Sequence, residues 1–150
     1  MLSVAGLSVS YGDSQVLWDV GLQVPPGQVV CLLGRNGVGK TTLLKSIVGL
    51  LRPRAGTIMF QGESLLSLSA DRRARRGIGY VPQGRDIFPD LTVLENLRIG
   101  RVARGEPQGE MPEEIFQLFP VLRTILTRKG GVLSGGQQAT PPAPEPPRPC

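Results

Sequence analysis

An α/β fold built around a phosphate-binding loop is what the sequence predicts, and three adjoining observations predict it. Residues 29–33 (Val29, Val30, Cys31, Leu32, Leu33) are continuously apolar, the mark of a strand buried on both faces at the centre of a sheet. A glycine-rich stretch with a lysine follows at once, from Gly34 to Thr41. Beyond it Leu43, Leu44 and Ile47 recur at helical spacing, so an amphipathic helix is expected over about residues 40–50. Strand, glycine loop and helix therefore stand in the order that a phosphate site requires.

The flanking segments fill in the rest of the fold. From residue 2 to about 24, Leu7, Val9 and Tyr11, then Val16, Trp18, Val20, Leu22 and Val24, alternate with small or polar residues, which predicts an antiparallel strand pair. Pro25, Pro26 and Gly27 make a turn before the apolar run, and Gly49, Pro53 and Gly56 bracket the end of the helix. Residues 57–60 read as a short strand with a turn at Gln61 and Gly62, and Ser69 as the cap of a short helix through Arg76. Residues 78–81 read as another strand, halted by Pro82. Thr92 and Glu95 have capping-box spacing, so a helix is expected from Val93 to about Gly100. After a loop over residues 105–112, a helical region from 113 to about 126 is interrupted at Pro120. Six prolines among residues 139–150 bar a helix or inner strand there, and that tail is expected to be disordered.

Gly34, Gly39, Lys40 and Thr41 meet the spacing GxxxxGK[ST], and each residue type has its own physical task. The glycines let the backbone curl so that successive N–H groups point inward at an anion, where a Cβ would obstruct. Lys40 supplies a point charge for β- and γ-phosphates and Thr41 a hydroxyl for Mg²⁺, while the following helix turns its positive end to the phosphate. The expected fold class is thus a P-loop nucleoside-triphosphatase.

Composition narrows the chemistry further. The chain of 150 residues, 40% apolar, is long enough for one domain with a packed core. It contains no histidine, which excludes a histidine-based triad, zinc site or proton shuttle within these residues. Its two cysteines, Cys31 and Cys150, have neither metal-ligand nor disulfide-framework spacing. The net charge of +5 is weak evidence for nucleic acid, because Arg72, Arg73, Arg75 and Arg76 crowd one helix end, where they suit the macrodipole and are expected to stay solvated. Trp18 and Phe116 are expected to serve core or subdomain packing rather than to contact a ligand. With no long apolar span and no basic leader, the expected location is cytoplasmic.

A second motif makes a family resemblance specific. Leu133, Ser134, Gly135, Gly136 and Gln137 resemble the signature loop of the ABC ATPases, and Gln83, after the expected strand at 78–81, resembles that family's Q-loop. The run from Val81 to Val93, taken with residues 34–40, looks most like the ATPase subunits of urea and branched-chain amino-acid importers, and the likeness covers residues 2 to about 138. The resemblance implies an ABC ATPase core with an N-terminal antiparallel β part and a partial helical subdomain. It implies that Tyr11 packs on the base of ATP, and that Gly34, Arg35, Asn36, Gly37, Val38, Gly39, Lys40, Thr41 and Thr42 hold the triphosphate. Thr41 and Gln83 would attend Mg²⁺, and Ser134, Gly135, Gly136 and Gln137 would act on ATP held by a partner subunit. It further implies transmembrane permease subunits and a second ATPase subunit as partners, no nucleic acid, and a place on the cytoplasmic face of the membrane.

Hydrolysis in that family uses an acidic strand, four apolar residues and then Asp-Glu, downstream of the signature loop. None of Asp13, Asp19, Asp71, Asp86 and Asp90 follows an apolar tetrad or precedes a glutamate, and the family's phosphate-sensing histidine has no counterpart. The fold is therefore expected to be incomplete at its C-terminal side and the polypeptide inactive alone, with residues 1–138 a partial nucleotide-binding domain. The abrupt change of composition at residues 138–139 reads as a shift of reading frame. Without their sheet neighbours, residues 29–33 are expected to expose a face and an edge.

Overall fold

The computed structural model describes residues 1–84, 87–103 and 109–133. The chain divides into two compact units, Met1–Arg73 and Ala74–Cys150.

The first unit is a four-stranded antiparallel sheet with the order β2-β1-β3-β4, in which β1 is Leu2–Tyr11, β2 Ser14–Val24, β3 Ala55–Phe60 and β4 Glu63–Ser64. The expected β1/β2 pair forms, closed by the two-residue turn Gly12 and Asp13 between Tyr11 and Ser14. Side chains of a regular strand face one side at every second position, yet the buried residues of β1 are Val4, Leu7 and Val9. A bulge between Val4 and Leu7 absorbs the extra residue, with Gly6 at φ 62°, and so keeps both apolar side chains on the core face. Gly56 of β3 crosses this bulge so closely that an added Cβ would lie 2.5 Å from the Gly6 carbonyl oxygen. The β3/β4 hairpin turns through Gln61 and Gly62, both at positive φ (51° and 87°), as a two-residue turn matching the twist of its strands requires.

The helix after the glycine loop, α1, is Lys40–Ile47. It buries Thr42, Leu43, Ser46 and Ile47, whereas Leu44, expected on the same face, is exposed. Its carboxyl end is closed by Gly49 at φ 87°: the Leu50 N–H donates to Lys45 O at 2.9 Å and the Gly49 N–H to Ser46 O at 3.3 Å, the paired bonds of a Schellman motif. A short helix α2, Ala70–Arg75, follows Ser69.

Four sequence expectations need correction here. Residues 29–33 join no ladder among the described residues, and Val29 and Leu33 are 98% and 85% exposed. Residues 78–81 likewise form no strand. Both segments have the composition of inner strands, which hold their shape only when hydrogen-bonded on each edge, and no described strand pairs with either of them. Trp18, expected in core or subdomain packing, lies 70% exposed, on the opposite side of β2 from buried Leu17. Finally, the arginine cluster is not wholly solvated: Arg73 is 3% exposed.

The second unit is helical. Its helices are α3, Val93–Ala103; α4, Glu113–Leu118; and α5, Leu122–Ile125, the last two separated around Pro120 as expected. Val93, Leu97, Leu122, Ile125 and Leu133 are buried together, with Phe116 and Phe119 packed against them. The guanidinium of Arg123 lies 4.8 Å from the Phe116 ring centre and pairs with Glu113, tying α5 to α4. Thr92 and Glu95 form the expected capping box: Glu95 Oε2 accepts from the Thr92 N–H at 2.7 Å, and Thr92 Oγ1 accepts from the Glu95 N–H at 3.2 Å. Asn96 then fastens the preceding loop, accepting from the Phe88 N–H at 2.8 Å and donating to Thr92 O at 2.9 Å. The predicted tail at residues 139–150 lies outside the described residues.

The capping box carries a pH signature. Hydrogen bonds from the Thr92 hydroxyl, then from its backbone N–H, hold the Glu95 carboxyl below its usual range. A depressed native pKa means that this contribution is complete above the ordinary carboxylate pKa of about 4.3 and fades as pH falls through the lower native value. Thr92→Ala is expected to lower the melting temperature by a few degrees at pH 7, and the gap from wild type should narrow below pH 4. Melting curves of the two proteins at both pH values check this.

Candidate functional site

The loop at residues 34–39 and the first turn of α1 form the candidate site. Gly39 is the N-cap of α1 at φ 96°, a left-handed conformation that only glycine enters without strain, and no side chain caps the helix. Its Cα rests on β2: an added Cβ would lie 2.5 Å from Leu17 Cδ2 and 3.3 Å from Val16 Cγ1. The sheet thus seats the start of the helix. Gly37, at φ 82°, faces open space on the other side, with nothing within 4 Å of where a Cβ would stand.

What the loop offers an anion is a set of donors. Among the described residues, no carbonyl accepts from the N–H groups between Asn36 and Thr41, and the first helical bond begins at the Leu43 N–H, which reaches Gly39 O at 2.9 Å. The Lys40 ammonium is drawn over the loop, donating to Gly34 O and Arg35 O at 2.6 Å each. Uncommitted amides, a helix amino terminus and an ammonium within one short segment constitute an anion cradle. Thr41 is exposed on the first turn, with its hydroxyl available for Mg²⁺, whereas Thr42 is buried and serves the packing of α1.

Tyr11, expected to pack on a base, ends β1 with 47% of its surface exposed and pairs with Ser14, three residues from Leu17 beneath Gly39. It belongs to the same unit as the loop and to the same end of the β1/β2 hairpin. Gln83 lies exposed in the second unit, after residues 78–81. Ser134, Gly135, Gly136 and Gln137 lie outside the described residues. Sequence reasoning missed Arg73 altogether; its signal, an arginine four residues after a helix-capping serine and beside three solvated arginines, was indistinguishable from theirs.

Comparison with known proteins decides the family. The family model described as "ABC transporter" matches residues 17–140. The chain belongs to this family. Among curated ABC proteins it is 39% identical over 140 residues to the high-affinity branched-chain amino acid transport ATP-binding protein BraG of Pseudomonas aeruginosa, covering 92% of this chain and 60% of that protein. It is 36% identical to a probable branched-chain amino acid transport ATP-binding protein, LivF, of Archaeoglobus fulgidus, with 92% and 59% covered. It is also 39% identical to the lipopolysaccharide export system ATP-binding protein LptB of Haemophilus influenzae, with 92% and 58% covered. The chain spans about 60% of the length of these relatives. Among solved structures, the ATP-binding subunit of an ABC transporter superposes with a TM-score of 0.73 at 34% identity, covering 92% of this chain and 57% of that one. A dimeric ATP-binding cassette bound to ADP and Pi superposes at 0.76 with 26% identity, covering 92% and 65%. Among the described residues, no helix is long and apolar enough to cross a membrane.

Proposed function

We infer that this chain is the nucleotide-holding part of an ATP-binding subunit of an ABC importer, and that it binds Mg·ATP through residues 34–42 with Tyr11 on the base. The observation that carries the reading is the uncommitted amide row from Asn36 to Thr41 in the same loop as the Lys40 ammonium, which donates to Gly34 O and Arg35 O. When bound, Mg²⁺ would neutralise part of the triphosphate charge, with the Thr41 hydroxyl as its ligand from the loop and Gln83 a further ligand by the family resemblance alone. Ser134, Gly135, Gly136 and Gln137 would meet ATP on a second ATPase subunit. Transmembrane permease subunits complete the assembly at the cytoplasmic face of the membrane, and the run from Val81 to Val93 favours branched-chain amino acids or urea as cargo.

A second reading has its own observation: no aspartate in the sequence stands between an apolar tetrad and a glutamate. The 150-residue polypeptide taken alone would then hold nucleotide without turning it over. Calorimetric titration with Mg·ATP, together with a phosphate-release assay, separates the two. Binding with steady, Lys40-dependent phosphate release supports the complete ATPase, and binding without release supports the second reading. A folded sample with no heat of binding at millimolar Mg·ATP contradicts both. Co-purification with permease subunits tests the transport assignment.

A further inference from the structure

Arg73 is the least exposed charged residue of the first unit, and its contacts lead towards the loop. Its Nη1 donates to Ser46 O and Ile47 O, both at 2.8 Å, and its Nε donates to Leu68 O at 3.0 Å. Ser46 and Ile47 are the last residues of α1, so a fixed guanidinium sits on the negative end of the helix whose positive end is the candidate anion site. Ser46 is itself fully buried, and its Oγ donates to Thr42 O at 2.8 Å, in the first half of the same helix. A chain of hydrogen bonds therefore runs from Leu68 through Arg73 and Ser46 to Thr42. The site is built to admit this side chain. A Cβ on Gly49 would come within 3.0 Å of Arg73 Nε and 3.2 Å of Arg73 Cδ.

We propose that Arg73 is a positioning residue for nucleotide binding: its buried guanidinium clamps the carboxyl end of α1 and so fixes Lys40 and Thr41 at the other end. This rests on the reading of residues 34–42 as the phosphate site. An eight-residue helix is too short to hold itself in water, so its orientation is set by what grips it. One end is gripped by Gly39 against Leu17, the other by Arg73. Three donors fanned from one rigid plane to three carbonyls suit arginine; a lysine ammonium at that place keeps the charge but loses the planar fork.

The test uses the full chain, with Arg73→Met, which keeps the apolar stem, and Arg73→Lys, which keeps the charge. Amide hydrogen exchange without nucleotide reads the clamp itself. Arg73→Met is expected to accelerate exchange at Leu43 as well as at Val48, whose N–H groups bond within each end of α1. Acceleration confined to residues around Gly49 would reduce Arg73 to local packing and overturn the proposal. Calorimetry then reads the consequence: Mg·ATP affinity about ten-fold weaker in Arg73→Met and partly restored in Arg73→Lys. Wild-type affinity in a folded Arg73→Met protein, or equal loss in both variants, would also overturn it. If the wild-type chain fails to bind Mg·ATP while the exchange pattern appears, the nucleotide reading falls and takes the positioning role with it, leaving the clamp as a structural fact. If Arg73→Met does not fold, Arg73→Lys and Ser46→Ala carry the same two measurements. Ser46→Ala breaks the link to Thr42 and is expected to speed exchange at Leu43 more than at Val48.

Discussion

Lys40→Met is expected to weaken Mg·ATP binding about 100-fold while leaving the circular-dichroism spectrum unchanged. Two losses combine. The ammonium's charge-assisted bonds to phosphate oxygens disappear, at about 1.5 kcal/mol or more each, so that two of them account for roughly two orders of magnitude. The ammonium also ties Gly34 O and Arg35 O together at 2.6 Å each, so its removal frees the loop that the amides depend on. The stem of Lys40 is retained by methionine, and Gly39 still rests on Leu17, so α1 keeps its seat. Calorimetric titration of both proteins measures the effect. A variant that binds as well as wild type would mean that ATP, if held, is held elsewhere.

Gly56→Ala is expected to produce the largest loss of stability of any single methyl addition in the sheet, about 3 kcal/mol or more. The new Cβ would lie 2.5 Å from Gly6 O, 2.6 Å from Gly6 C and 2.6 Å from Leu7 Cα, all of them backbone, and Gly56 has φ 96°. Backbone in a bulge flanked by two strands has nowhere to retreat, unlike a side chain that changes rotamer. Gly62→Ala is the proper control: it shares a positive φ of 87° but meets nothing within 4 Å, so it bears only the conformational cost of about 1–2 kcal/mol. Urea denaturation of the three proteins checks the order. Equal midpoints for the two variants would show that the β1/β3 approach is looser than described.

How far the sequence was legible depends on how local the determining interactions are. The β1/β2 hairpin, the β3/β4 turn at Gln61 and Gly62, the capping box at Thr92 and Glu95, and the end of α1 at Gly49 are all settled within a few residues, and all are found where expected. The conformation of the glycine loop was legible for the same reason: Gly39 stands at positive φ before α1, and Lys40 donates back to Gly34 O and Arg35 O, all within eight positions. The strands expected at residues 29–33 and 78–81 do not form, because an inner strand is defined by its neighbours; the exposure expected of 29–33 without them is what Val29 and Leu33 show. Trp18 was misplaced by alternation itself: the register shift between Leu7 and Val9 changes which residues of β2 face inward. Arg73 was hidden because burial of one arginine among four depends on a contact with α1, 26 residues earlier in the chain.

The central claim, that the amides of the loop close around a polyphosphate, is tested most directly by two-dimensional amide NMR of the ¹⁵N-labelled chain titrated with Mg·ATP. Saturable shifts should centre on Gly37, Gly39, Lys40 and Thr41, with the helical unit at residues 93–125 little changed. A folded protein whose loop amides do not move at millimolar Mg·ATP, or whose shifts gather only at other residues, would contradict it.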